Sequence, residues 1–325
     1  MKLLLIVQQH KRTIFDRLQE SIARHAGECD IHRLDEVDQK NLRSYFERHI
    51  DTAEYDRILL MIRLKHQLIQ VGFLQSLPNL VFLEIDAWQN FHPKSKYRNR
   101  FLRHYLGVPW ARIISTGCQV SRKLSGHGLD AVFAPKGYDQ ALIENLNRHR
   151  DIELGFIGSL KSGFYSDRRN FLLSLAKVEP LQIMRTKPGR DYVEKLNQIR
   201  FFISADVNFG EYMIKNFEAM AAGCVLFAFN QGDEENKAIG LQDMANVVLY
   251  KTIDELRAKL TRLRAEPQFA DQIAANGQRF AEQYCTFEIW GKRVVGAMHA
   301  PLRDKTMFPP SKPSLLDIFR NGFFR

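Results

Sequence analysis

Little in this chain of 325 residues marks a compartment or a bound cofactor. Its four cysteines, Cys29, Cys118, Cys224 and Cys285, lie far apart with no C-x-x-C pair. That argues against a disulfide framework and a thiolate metal site, and fits a reducing, cytoplasmic setting. No stretch approaches the apolar length needed to span a bilayer. The opening MKLLLIVQQHKR is apolar over too short a run for a signal peptide and reads as a first β-strand. A complete glycine-rich phosphate fingerprint is also missing. What is present is an ordinary globular composition, 45% apolar and 26% charged, in a chain comfortable for two domains.

The net charge of +10 is unevenly spread. Lys and Arg outnumber Asp and Glu 21 to 14 over residues 1–137 and 5 to 2 over 301–325, and match them 21 to 21 in between. Basic surface at the two ends suits an anionic membrane, an anionic acceptor or nucleic acid. The densest run, HPKSKYRNRFLRHY from His92 to Tyr105, has five Lys or Arg, two His and no acid, interleaved with Tyr97, Phe101 and Tyr105. Lys94, Lys96, Arg98 and Arg100 are its candidate contacts. A solvated basic face explains the same composition; of the binding readings, an anionic acceptor or membrane is favoured over nucleic acid.

Apolar runs and amphipathic stretches alternate through the first 137 residues. Strands are expected at Leu3–Val7, Asp30–Arg33, Arg57–Ile62, Leu80–Ile85, Ile113–Ser115 and Ala131–Ala134. Helices are expected over Ile14–Ala26, Gln39–His49 and through Leu68 and Phe73. This alternation predicts a parallel sheet covered on both faces, a Rossmann-like domain. Ligands of such sheets bind beyond the carboxyl ends of the strands, which nominates Glu84, Asp86, Gln89, Asn90 and His92. Asp86 suits a turn or cap equally well, and a lone histidine is more often structural than catalytic.

Pro135 and Gly137 break the pattern, placing a domain boundary near 140 and a linker over 139–149. Leu154–Ile157 opens a second sheet, with Gly158 and Ser159 at a turn where backbone amides can approach a phosphate. Lys161, Arg168 and Arg169 follow, and Arg185 and Lys187 come after the strand PLQIM. Helices at Asp191–Ile199, Ile253–Leu263 and Gln268–Tyr284 alternate with strands at Phe201–Ser204 and Asn246–Tyr250, with Gly232–Asn236 a polar loop.

The second domain centres on GEYMIKNFEAMAAGCVLFA, residues Gly210 to Ala228. Met213, Phe217, Met220 and Ala221 recur at helical spacing, Gly223 fits a C-terminal cap, and Cys224–Phe229 reads as a buried strand. Glu218 then lies inside a helix just ahead of a close-packed end. Lys215, three residues earlier, is its nearest candidate partner, and a solvated surface pair is the competing reading.

KNFEAMAAGCVL resembles the nucleotide-sugar motif of GT-B glycosyltransferases of family 4, group 1, and of the related spore-maturation-type group. The resemblance implies a fold of two Rossmann-like domains facing across a cleft, over residues 1–140 and 141–287. A helix at 288–298 crosses back, and a basic amphipathic tail runs to 325, as a packed strap or a membrane foot. It implies a metal-independent and retaining hexosyltransferase with no resident cofactor, in keeping with the lack of a D-x-D triplet. The donor, a UDP- or GDP-linked sugar, would meet Gly158, Ser159, Arg185, Lys187, Lys215, Asn216, Phe217 and Glu218. Glu218 would bind the ribose hydroxyls and Lys215 the leaving diphosphate. The family's upstream glutamate falls at Gly210 by spacing, so Glu211, one residue late, is its nearest counterpart. An inverting enzyme would need a base from Asp86, Glu84 or His92. The implied setting is cell-envelope polysaccharide or lipopolysaccharide synthesis by a cytoplasmic enzyme, with a lipid-linked acceptor and peripheral contact with the inner face of the membrane. Glycosylation of modified DNA and non-catalytic nucleotide-sugar binding are the alternatives.

Overall fold

The computed structural model describes residues 1–9, 15–161 and 165–308. The first domain holds six parallel strands: β1 (Lys2–Gln8), β2 (Glu28–Leu34), β3 (Arg57–Met61), β4 (Leu80–Glu84), β5 (Arg112–Ser115) and β6 (Asp130–Phe133). Their order is β2-β1-β3-β4-β5-β6. The second domain holds β7 (Ile152–Ile157), β8 (Gln182–Met184), β9 (Ile199–Ser204), β10 (Val225–Phe229) and β11 (Val248–Tyr250), in the order β11-β10-β9-β7-β8, again all parallel. Both sheets are covered on two faces, which is why their central strands read as unbroken apolar runs. In β1, Leu3, Leu5 and Val7 enter one core while Leu4 and Ile6 enter the other. The expected pair of Rossmann-like domains across a cleft is present.

Local departures from expectation have local causes. The single helix expected over 39–49 is two, Glu36–Lys40 and Leu42–His49, broken at Asn41. The first of these starts early because Asp35 accepts the Val37 and Asp38 N–H groups and caps it. The helix through Leu68 and Phe73 is three short turns, Leu64–Gln67, Leu68–Gln70 and Val71–Leu74. The loop expected at 232–236 is instead the start of the helix Asp233–Ile239.

The chain crosses between domains twice, and the two crossings pair. Tyr138 N–H donates to the Cys285 carbonyl and Phe287 N–H to the Tyr138 carbonyl, each at 2.7 Å. A Cβ on Gly137 would stand 2.5 Å from the Thr286 oxygen, so this close approach requires glycine. The two crossings therefore meet at Tyr138 and at residues 285–287. Residues of the expected linker already pack on the second domain: Ile143 is buried in its core, and Leu146 N–H donates to Asn197 Oδ1 at 2.8 Å.

The helix Phe287–His299 returns to the first domain and buries Trp290, Val294, Val295 and Met298 against Leu3, Leu18 and Ile22. Beyond it the chain forms a strap. Arg112 donates to the carbonyls of Ala297, Ala300 and Pro301, each at 2.9 Å, and Arg303 to that of Gly128. The amphipathic tail expected from Met307 to Arg325 lies outside the described residues from 309 onward, as does Ile14.

Candidate active site

The central motif folds as its small residues dictate. Helix Ile214–Ala221 stops where Gly223 adopts φ +77°, with Gly223 N–H on the Met220 carbonyl and Cys224 N–H on that of Ala219. Arg150 donates to the Ala222 carbonyl at 2.6 Å, satisfying the helix end before β10 begins. This holds Lys215 and Glu218 at the carboxyl edge of the second sheet. Lys215 Nζ donates to the Ile157 carbonyl at 2.7 Å and stands over the Tyr192 ring at 5.6 Å. Burial lowers its pKa, with Glu218 pulling the other way. A Cβ on Gly158 would lie 3.5 Å from Lys215 Nζ, so these two nominated residues meet. Tyr192 Oη donates to Glu218 Oε2 at 2.6 Å, and burial raises the Glu218 pKa. Ser159 is half-buried at the same edge.

Arg185 and Lys187 are exposed. Arg185 is close enough to lower the Lys215 pKa, whereas Lys187 contributes only its backbone N–H, to Asp191. Asn216 and Phe217 point into the core. Phe217 is 1% exposed, and Asn216 Nδ2 donates to Asp206 Oδ2 at 2.8 Å and to the Met213 carbonyl at 2.9 Å.

That Asp206 is the group sequence reading missed. It follows β9, is 4% exposed, and also accepts from Ser204 Oγ at 3.1 Å and Arg168 Nη2 at 2.6 Å. Arg168 is stacked among Tyr165, Phe209 and Phe156, with centroids 4.6, 5.0 and 5.9 Å away. The signal in the sequence is Arg168 itself, one of the basic residues that follow the Gly158–Ser159 turn. Arg168, Asp206 and Lys215 line a cleft of about 350 Å³ with Asp86, Trp88, Gln89 and Lys136 of the first domain.

Glu211 does not face open solvent in this cleft. It is 1% exposed, its Oε1 sits 2.7 Å from Lys136 Nζ, and its Oε2 accepts from Thr116 Oγ1 at 3.1 Å. Burial raises its pKa to about 7, against the pull of Lys136. It works here as a strut between domains. A second strut is Glu235, 0% exposed, which accepts the Cys118 and Gln119 N–H groups at 3.2 and 3.0 Å. These occupy the start of the first-domain helix Cys118–Gly126. Trp88 stacks on Phe209 across the same interface at 3.9 Å.

A second cavity, about 340 Å³, lies in the first domain beyond the strand ends, lined by Gln8, Arg63, Glu84, Asp86 and Gln89 among apolar side chains. Glu84 is 7% exposed, accepts from Tyr105 Oη at 2.9 Å, and has its pKa pushed to about 8 by burial. Asp86 is exposed and lines both cavities. Asn90 and His92 line neither. Asn90 is fully buried and its Oδ1 accepts Leu102 N–H at 3.0 Å. His92 is 2% exposed, packs edge-on against Trp88, and its Nδ1 accepts Lys94 N–H at 3.2 Å. Of the basic run, Lys94 reaches across to Ser166 and Asp167 of the second domain. Lys96, Arg98 and Arg100 are exposed, Lys96 lying 5.0 Å over Tyr97.

Among the described residues no group of three or more His, Cys, Asp or Glu stands close enough to hold a metal ion. Nor is any helix among them long and apolar enough to cross a membrane.

The glycosyl transferase-like family model matches residues 136–294, the stretch carrying the central motif. A comparison with curated proteins returns no match. Among solved structures, Anabaena HepE (Alr3699), in complex with UDP and glucose, aligns with a TM-score of 0.68 over 93% of this chain and 100% of its own, at 13% identity. A glycosyltransferase from Rickettsia africae aligns at 0.61 over 91% and 97%, with 9% identity. A DNA-modifying β-glucosyltransferase, solved with and without uridine diphosphoglucose, aligns at 0.59 over 92% and 100%, with 12% identity. The fold is that of GT-B enzymes, and the match of residues 136–294 to the glycosyl transferase-like family supports a glycosyltransferase.

Proposed function

We propose that this enzyme transfers a hexose from a UDP-linked donor, held in the cleft against the second domain, to an acceptor seated in the first-domain cavity. The observation that carries the reading is the cation pair at the cleft: Lys215 fixed on the Ile157 carbonyl and Arg168 fixed on Asp206. Both are held before any ligand arrives, and stabilising a leaving diphosphate favours charges that need no reorganisation. Arg185 adds charge from the rim. Glu218, held by Tyr192, accepts the ribose hydroxyls. The choice of uridine draws on the UDP and UDP-glucose complexes of HepE.

In the transfer, the bond from the anomeric carbon to the diphosphate oxygen breaks and one to the acceptor oxygen forms. The resemblance implies retention, in which the departing phosphate oxygen takes the acceptor proton. Asp86 favours a second stereochemical reading: an exposed carboxylate on both cavities is placed to take that proton itself, giving inversion. The excess of basic residues in the first domain supports an anionic or lipid-linked acceptor of envelope polysaccharide or lipopolysaccharide synthesis. Transfer to modified DNA is the competing acceptor class, drawing on the same basic surface and on the likeness to the DNA-modifying enzyme.

The test is hydrolysis of UDP-glucose and other UDP-sugars without acceptor, followed by NMR on the released sugar. Turnover lost in Lys215→Ala supports the reading, and a first-formed anomer of inverted configuration, with turnover lost in Asp86→Asn, assigns Asp86 as base. Absence of turnover and of nucleotide binding with every UDP-sugar would overturn it.

A further inference from the structure

A groove of about 520 Å³ lies on the second domain and shares no residue with the cleft or the first-domain cavity. Its walls are the last turns of the helix Pro267–Tyr284, the loop that leaves the helix Asp233–Ile239, and Arg293 of the helix Phe287–His299. That loop, residues 240–247, feeds β11 at its amino end. The donor motif lies toward the carboxyl ends of the same parallel sheet, so the groove sits at the opposite end of the domain from the chemistry.

The loop is held to itself and to the helix. Asn246 Oδ1 accepts Gln242 N–H at 2.8 Å, Asn246 Nδ2 donates to the Gly240 carbonyl at 3.0 Å, and Asn276 Nδ2 donates to that of Ala245 at 2.9 Å. Gly240, at φ +100°, lets Phe280 pack directly on the backbone, since a Cβ there would stand 3.0 Å from that ring. Phe280 lies beside Tyr284 with ring centroids 5.5 Å apart, and Tyr284 is 49% exposed. An aromatic wall, partly open to water, thus stands beside a rim fixed before any ligand arrives.

The charges in the groove are of one sign. Among the described residues no Asp or Glu lines it, whereas Arg279 and Arg293 do. Arg279 Nη2 donates to Asn276 Oδ1 at 2.5 Å and Arg293 Nη1 to the Tyr284 carbonyl at 2.8 Å. Neutral partners orient both guanidinium groups, and among the described residues neither is ion-paired. Each keeps further N–H donors on its fork, the geometry that matches a carboxylate. Gln242 and Gln283, both exposed, add amides at the rim.

We propose that this groove is a second carbohydrate site and takes an acidic saccharide. A pyranose ring lies on Phe280 and Tyr284, its carboxylate on Arg279 and Arg293, and its hydroxyls on the rim amides. The site is independent of the donor and acceptor assignments above. A small inorganic anion would use the cations and leave the aromatic wall in water. A nucleotide would meet the same cations, but the two rings come from one helix and offer a single wall, and the exposed amides suit hydroxyls spread around a sugar.

The experiment is isothermal titration calorimetry on the full chain in saturating UDP, for wild type, Arg279→Ala and Tyr284→Ala. The probes are trigalacturonate and a hyaluronan tetrasaccharide, with maltotriose and AMP as comparisons. At least one acidic probe should bind wild type more tightly than maltotriose does, and each substitution should weaken it by about tenfold. Melting temperature and UDP-glucose hydrolysis should be unchanged in both variants, because neither residue lines the cleft. Failure of both acidic probes to bind overturns the proposal. Binding that survives both substitutions also overturns it, by placing the saccharide elsewhere. AMP binding in place of the acidic probes, lost in Arg279→Ala, overturns it in favour of a nucleotide. Hydrolysis, read on the same preparations, tests the enzymatic reading separately, so the two can fail independently.

Discussion

The two cavities are nearly equal in volume, about 340 and 350 Å³, and opposite in electrostatic design. The cleft presents cations already tied to partners: Arg168 on buried Asp206, Lys215 on a carbonyl. The first-domain cavity buries Glu84 among apolar side chains, where a neutral acid is the stable form. One is built to receive a highly charged group and the other to receive something less charged. The difference supports the proposed donor and acceptor sides, because the desolvation that would penalise a diphosphate in the first cavity is already offset in the second.

Breaking the donor side should have the largest effect. Lys215→Ala is expected to lower transfer by roughly a hundredfold or more with the fold intact, while Arg185→Ala, at the rim, costs less than about tenfold. Steady-state rates on one UDP-sugar compare them directly. Arg168→Ala should also cost stability, on the order of 3 kcal/mol, because it strands the buried Asp206; Arg168→Lys should recover part of that, read by chemical denaturation.

Next is the point where the two interdomain crossings pair. Gly137→Ala forces a carbon against the Thr286 carbonyl and should cost about 2–3 kcal/mol, lowering the melting temperature without altering the cavities.

The acceptor side is sharpened by pH. The folded-state pKa of Glu84, about 8, exceeds its ordinary 4.5. The folded state therefore keeps a proton that the unfolded state gives up. The stability this group contributes is present below pH 4.5 and falls as pH rises toward 8, by at most about 5 kcal/mol. Glu84→Gln should remove that loss, so the stability difference between variant and wild type should widen from pH 5 to 8. A constant difference would mean that Glu84 is ionised in its cavity. The smallest effect is expected from Tyr192→Phe, which removes one hydrogen bond to Glu218 and should weaken nucleotide binding by roughly fivefold in titration calorimetry.

The strands were legible because a parallel strand buried on both faces leaves an unbroken apolar run, as Leu3–Val7 and Arg57–Ile62 do. Helix bounds were less so: the early start at Glu36 depends on a cap at Asp35, and the break on the non-helical backbone of Asn41, neither of which periodicity registers. In the site, Lys215 and Glu218 stood out because they sit on one helix, whereas the Arg168–Asp206 pair joins residues 38 positions apart and shows only once the sheet brings them together. Glu211 is the instructive middle case. Spacing marked it as displaced by one residue, and its side chain crosses the interface to Lys136 and Thr116, contacts that require both domains to exist. Asn90 and His92 follow the right strand, but the turn they belong to folds inward and spends them on packing.

The central claim is that Glu218 and its helix hold a nucleotide. It is tested most directly by the thermal shift of wild type and Glu218→Ala against UDP, GDP, ADP, CMP and dTDP. A ligand at a hundred times its dissociation constant adds about 2.7 kcal/mol of stability. The account predicts that UDP raises the melting temperature of wild type by several degrees, with the response lost in Glu218→Ala. If no nucleotide stabilises wild type, or if the variant responds to UDP as wild type does, the donor assignment is wrong.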